Sequence, residues 1–138
     1  MANTTKKLMA ALVLFVCGVA VGRAVQPAAK VYEMRTYTAV DGKFDAVNAR
    51  FRDHTLRLFE KHGMKNVGYW TPSEGPLVGT TLIYVLEHES REAARKSWAA
   101  FSADPDWQKA KAASEANGRI VAKTESVFLT ATDYSPIK

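Results

Sequence analysis

Glu33, Arg35 and Tyr37 occupy every second position of the segment Tyr32-Glu33-Met34-Arg35-Thr36-Tyr37. In an extended strand this spacing places the three side chains on one face, with Tyr32, Met34 and Thr36 on the other. A guanidinium between a carboxylate and a phenol can bind an anion or polarise a carbonyl. It can equally form an ion pair that fixes sheet register, because an unpaired charge is not tolerated in an interior. Glu125 alternates with Val127 and Leu129 farther along the chain, and on Arg35's face it would be the natural partner charge. Glu33 and Glu125 around one guanidinium would also form an acid–base pair.

The three histidines supply no second centre. His54 and His62 lie eight apart on one helical segment, too far to chelate one ion together. No His/Asp/Glu cluster has metal-ligand spacing, so no metal is expected. His62 precedes Gly63 and reads as a cation at a helix C-terminus. His54 reads as a half-buried core histidine, and His88 as a solvated strand end. Tyr69, Trp70, Tyr84, Trp98 and Trp107 read first as core. Their N–H and O–H groups need partners when buried, and a cavity they rim would hold a flat or apolar ligand. Nucleophile triads, phosphate-cradling glycine loops and dinucleotide fingerprints are missing as local motifs, so no cofactor is expected.

These residues fall on a regular series of elements. Residues 31–38 are rich in β-branched and aromatic types and read as a strand. Asp41 is the expected N-cap of an amphipathic helix over residues 43–62, with Phe44, Val47, Phe51, Leu58 and Phe59 on its apolar stripe. Gly63 suits the left-handed turn that ends it. Residues 64–71 read as a second strand, Pro72-Ser73-Glu74-Gly75-Pro76 as a turn, and residues 77–88 as a third strand. Its run Leu82-Ile83-Tyr84-Val85-Leu86 implies burial on both faces. Ser90 caps a helix to about Phe101. Asp104-Pro105 starts a shorter one, anchored by Trp107 and ended by Gly118. Residues 120–132 form the last strand. If the more apolar face of the first strand meets the helices, Glu33, Arg35 and Tyr37 point away from them.

Tyr32-Glu33-Met34-Arg35-Thr36-Tyr37, Val67-Gly68-Tyr69-Trp70-Thr71-Pro72 and Glu125-Ser126-Val127-Phe128-Leu129-Thr130 closely resemble the NIPSNAP family. So do Phe59-Glu60-Lys61-His62-Gly63-Met64, Asp104-Pro105-Asp106-Trp107 and Thr132-Asp133-Tyr134-Ser135-Pro136, all in the right order. The resemblance implies an α+β, ferredoxin-like β-α-β-β-α-β subunit. Its antiparallel four-stranded sheet would carry helices on one face and pair with a second copy into a dimeric α/β barrel. In that barrel Arg35, Tyr37, Tyr69, Glu33 and Glu125 are the candidate ligand-binding residues. The family brings no agreed chemistry with it.

The front of the chain differs from the rest. Lys6-Lys7 precedes an uncharged run over residues 8–22, and Ala20, Gly22 and Ala24 follow as small residues. This is the pattern of a secretory signal peptide over residues 1–24. A linker over residues 25–30, which includes Gln26-Pro27-Ala28-Ala29, would lead into a domain over residues 31–135. The run is shorter than the roughly 20 residues of a bilayer-spanning helix, so membrane contact is expected only if the segment stays uncleaved. A periplasmic or secreted protein follows.

The net charge of +5 includes Lys6, Lys7 and Arg23, which leaves +2 on a chain beginning near Val25. Such a balance gives no basis for nucleic-acid binding. Cys17, the single cysteine, lies inside the proposed signal. Disulfides and thiolate chemistry are therefore excluded from the mature form. The expected role is binding of a small, partly apolar molecule in the barrel, by a homodimer. A cofactor-independent monooxygenase-like oxidoreductase and a purely structural dimer are the alternatives, so enzyme activity is left open.

Overall fold

The computed structural model describes residues 29–138. The proposed signal peptide and most of the linker lie outside the described residues. Four strands, β1 (Val31–Ala39), β2 (Lys65–Trp70), β3 (Thr81–His88) and β4 (Val121–Leu129), form one antiparallel sheet in the order β2-β3-β1-β4. The helices α1 (Phe44–Arg50), α2 (Leu56–Lys61), α3 (Arg91–Ala103) and α4 (Pro105–Ser114) complete the α+β, ferredoxin-like order. None of the described helices is long and apolar enough to cross a membrane.

Local chemistry sets most boundaries. Ser90 Oγ accepts the Ala93 N–H at 3.0 Å and caps α3. Asp104 Oδ1 accepts the Asp106 N–H at 2.8 Å ahead of Pro105, which suits the first helical position because it has no N–H to satisfy. Gly63 takes φ 75° after α2, where a side chain would be strained. Asp41 does not cap α1: Lys43 holds that position and makes no side-chain cap. The long helix expected from the apolar stripe is continuous but bulged. Residues Phe51–Thr55 form a π turn between α1 and α2, and the Thr55 hydroxyl donates to the Arg50 carbonyl at 3.1 Å. The extra residue keeps Phe51, Thr55, Leu58 and Phe59 all turned inward.

The turn after β2 runs to Thr80, not Pro76, because Gly79 at φ 70° and a Thr80 N–H to Leu77 carbonyl bond at 3.2 Å extend it. Thr81 therefore begins β3. β4 stops at Leu129 rather than Thr132.

An aromatic layer joins sheet to helices. Phe51 lies at its centre, with ring centroids 5.2 Å from Tyr84, 5.5 Å from Tyr37 and 5.9 Å from Tyr69. Phe59 bridges Tyr84 and Phe101 at 5.9 and 4.9 Å. Trp107 packs 4.5 Å from Phe101, anchoring α4 as its position implied. Phe51, Phe59, Tyr84 and Phe101 are its buried members, and each contributes about 1.5–3 kcal/mol.

The helices cover only one face of the sheet. Leu82, Tyr84 and Leu86 are buried against them, while Ile83 and Val85 point to the opposite, uncovered face. Trp70, Val127 and Leu129 are exposed on that face, and Trp70 and Leu129 border a groove of about 320 Å³ with Tyr32, Val85 and Ile137. Trp70 folds back over Gly68, where a Cβ would run into the indole ring.

Candidate functional site

Glu33, Arg35 and Tyr37 point toward the helices, which reverses the face expected for them. Their cross-strand partners on β3 are Leu86, Tyr84 and Leu82, all core residues. Tyr32, Met34 and Thr36, the more apolar set, line the uncovered face instead. The polar face can be buried because donors from three strands and from α3 converge on it.

Glu33 is 2% exposed and accepts four hydrogen bonds. Its Oε1 takes Arg35 Nη1 at 2.8 Å and the Ser126 hydroxyl at 2.6 Å. Its Oε2 takes Trp98 Nε1 at 2.7 Å and His88 Nε2 at 3.0 Å. Burial pushes the carboxyl pKa up, but the bonds from His88, Ser126 and Trp98 and the Arg35 charge outweigh it and hold the group at about 2. Such a carboxylate stays ionised at any physiological pH. It is a poor proton acceptor, since general bases work best with a pKa near the operating pH.

Glu125 takes no part. It faces Thr36 on the uncovered side, and its carboxylate pairs with Lys123 at 2.9 Å. Ser126, one residue on, is the residue opposite Arg35. The acid–base pair of Glu33 and Glu125 is thereby ruled out, because the sheet lies between them. His88 is not solvated: it is 1% exposed, and its Nδ1 is buried without a partner. Its even spacing from Leu82, Tyr84 and Leu86 is the sequence signal that places it on their face. His54 is exposed rather than half-buried. His62 lies at the C-terminal end of α2, as its position implied, and is 2.7 Å from Asp104 Oδ2.

Arg35 is held rigidly. Its guanidinium carbon sits 4.2 Å from the Trp98 ring centroid and 5.9 Å from that of Tyr37. Nη1 is engaged by Glu33, whereas Nε is buried with no partner. The side chain is 17% exposed, on a side where Thr124 and Ser126 of the edge strand are also exposed. Tyr84, opposite Arg35 on β3, has a buried hydroxyl without a partner, and burial drives its pKa well up. Tyr69 stacks on Tyr84 at 5.4 Å and donates its hydroxyl to Asn66. It belongs to the same layer, but Tyr84 separates it from Arg35 in the sheet order. Four of the five expected residues thus share the helix-facing side. Trp98 finds in Glu33 the partner its N–H was expected to need, whereas Ser126 and His88, which complete the cluster, were not anticipated. Among the described residues no group of His, Cys, Asp and Glu side chains could hold a metal ion.

The fold recurs in solved structures. A NIPSNAP family protein of unknown function from Agrobacterium tumefaciens superposes with a TM-score of 0.69 at 20% identity, over 82% of this chain and 97% of that one. An uncharacterized NIPSNAP-like domain protein from Burkholderia xenovorans gives 0.68 at 17% identity, over 79% and 90%. SnoaB, a cofactor-independent oxygenase from Streptomyces nogalater, gives 0.54 at 17% identity, over 79% and 99%. No curated protein matches the chain. The NIPSNAP family model matches residues 32–136, most of the chain, and this protein belongs to that family.

Proposed function

We propose that the domain binds a small, partly apolar molecule carrying a carbonyl or comparable oxygen acceptor, with Arg35 as its polar anchor. The observation that carries this reading is the state of the Arg35 guanidinium. It is fixed between Glu33 and the Trp98 ring, the Arg35 side chain as a whole is partly open to solvent, and its Nε is buried without an acceptor. A buried donor left unmade costs about 1–3 kcal/mol, which a ligand oxygen would recover. Glu33 already balances the Arg35 charge, so a neutral acceptor suits the site better than a strong anion. Trp98 and Tyr37 offer ring surface for the apolar part. The expected binding place accordingly moves from the lumen-facing side of the sheet to its helix-facing side.

The protein is further read as an exported homodimer. Export rests on the pattern of residues 6–24, and pairing rests on the apolar residues of the uncovered sheet face. The cofactor-independent oxygenase reading has SnoaB's fold in its favour, but a carboxylate held at about 2 argues against acid–base work by Glu33.

The test is mass spectrometry of small molecules retained by protein purified from its native host, beside Arg35→Leu and Trp98→Phe. A carbonyl-bearing compound retained by the wild type and lost from Arg35→Leu is the expected result. Equal retention by all three proteins, or no retained compound at all, would leave a structural dimer as the better reading.

A further inference from the structure

Arg35 and Tyr84 stand directly opposite each other on neighbouring strands, on the side of the sheet that faces the helices. Tyr84 is 0% exposed, and its hydroxyl is buried without a partner. Arg35 Nε is buried without a partner as well. Two residues along β1, Tyr37 joins them, its ring 5.4 Å from that of Tyr84 and 5.9 Å from the Arg35 guanidinium carbon. Two unsatisfied polar groups therefore lie at one level of the sheet, in an interior where such groups are normally bonded.

Both groups hold hydrogens to donate. A guanidinium has no acceptor. Burial, and then the neighbouring Tyr37, push the Tyr84 phenol well above its ordinary value, so it keeps its proton at any physiological pH. Glu33 offers no counterpart, because its two oxygens already accept four hydrogen bonds and a carboxylate has about four acceptor positions. The Arg35 side chain is 17% exposed, and Thr124 and Ser126 are exposed beside it, which leaves the β4 side open to a small molecule.

Two donors beside a saturated carboxylate suit one kind of oxygen. A carbonyl oxygen accepts two hydrogen bonds near its own plane and returns no proton. A hydroxyl of the same shape brings a hydrogen that must displace one of the two donors. A carboxylate brings a charge that Glu33 has already matched. A site built on hydrogen bonds rejects the analogue that leaves its groups unpaired.

We propose that Tyr84 is the second donor of the Arg35 site, and that the two together select a ketone or aldehyde over the corresponding alcohol. This selectivity rests on the proposed role of Arg35 as polar anchor.

The test is titration of the full chain with acetophenone and with 1-phenylethanol, its alcohol, followed by infrared spectroscopy of the bound carbonyl. Acetophenone should bind about tenfold more tightly than the alcohol. Tyr84→Phe should weaken acetophenone about tenfold, abolish the preference and raise the stretching frequency of the bound carbonyl. Its urea midpoint should stay at or above that of the wild type, because the hydroxyl has no partner to lose. Acetophenone binding that falls in Arg35→Leu but not in Tyr84→Phe would overturn the role of Tyr84 and leave that of Arg35 standing. Indifference to both variants, or no binding at all, would overturn both. A lowered midpoint in Tyr84→Phe would show the hydroxyl bonded within the fold and would overturn the proposal, as would equal binding of the alcohol.

Discussion

Trp98 Nε1 donates to Glu33 Oε2 at 2.7 Å, across 65 positions of sequence, and so ties α3 to the central strand of the sheet. The same indole stacks against the guanidinium that bonds the other carboxylate oxygen. One tryptophan thereby braces both members of a buried ion pair, and the pair holds α3 in place over β1. Hydrogen bonds to a charged group contribute about 1.5–3 kcal/mol each. Trp98→Phe should cost roughly that much in urea unfolding while keeping most of the ring's packing. A loss well below 1 kcal/mol would mean that the bond adds nothing over solvent.

Acid stability should report the same carboxylate. Glu33 falls from its ordinary value of 4.5 to about 2 in the folded protein, so the folded state favours its ionised form. Stability from this group is therefore fully present above about pH 4.5 and is lost as pH falls toward 2. The shift corresponds to about 3 kcal/mol. Lys61 and His62 likewise depress Asp104, and it will contribute over part of the same range. The diagnostic quantity is hence the difference between wild type and Glu33→Gln. That difference should shrink from pH 6 to pH 2. A difference independent of pH would show that Glu33 titrates normally in the fold.

The histidines should separate cleanly. His88 is buried on Glu33, whereas His54 is exposed. His88→Leu removes one donor from a buried carboxylate and should cost about 1–3 kcal/mol in thermal or urea unfolding. His54→Gln should stay within about 0.5 kcal/mol, as surface changes usually do. Arg35→Leu should fall near the His88 value and not at the 3–5 kcal/mol of a fully stranded buried charge, because Glu33 keeps three other donors. Equal effects of the two histidine changes would contradict this geometry.

Much of the fold was legible because its signals are local. Ser90, Gly63 and the Asp104-Pro105 pair each act through the adjacent backbone, and alternation in β1 sorted its side chains into the correct two sets. Which set faces the helices was not legible. Polarity along β1 points Glu33 and Arg35 away from a core, yet the decisive donors come from Trp98, His88 and Ser126, distant in sequence. Glu125 fails for a related reason. A strand exchanges its faces with each residue, so Ser126 and not Glu125 stands opposite Arg35. The π turn was likewise hidden, since the apolar stripe reads as a helix with or without one inserted residue.

Pairing through the uncovered face is the most exposed expectation. Trp70 is 54% exposed, Val127 46% and Leu129 39%. Isolated hydrophobics are ordinary on a surface, but a contiguous apolar area on a sheet face marks an interaction site. Each Å² withdrawn from water there stabilises by about 25 cal/mol. The groove between Tyr32, Val85 and Leu129 would be closed by a second copy and would become the barrel lumen. Light scattering of protein lacking residues 1–24 should give twice the chain mass at micromolar concentration. Val127→Glu places a charge in that face without touching the Glu33 network, which lies on the other side of the sheet. It should yield a folded monomer with unchanged acid stability of the Glu33 group. A wild type that is already monomeric would exclude the barrel. A Val127→Glu protein that still dimerises would move the contact to another surface.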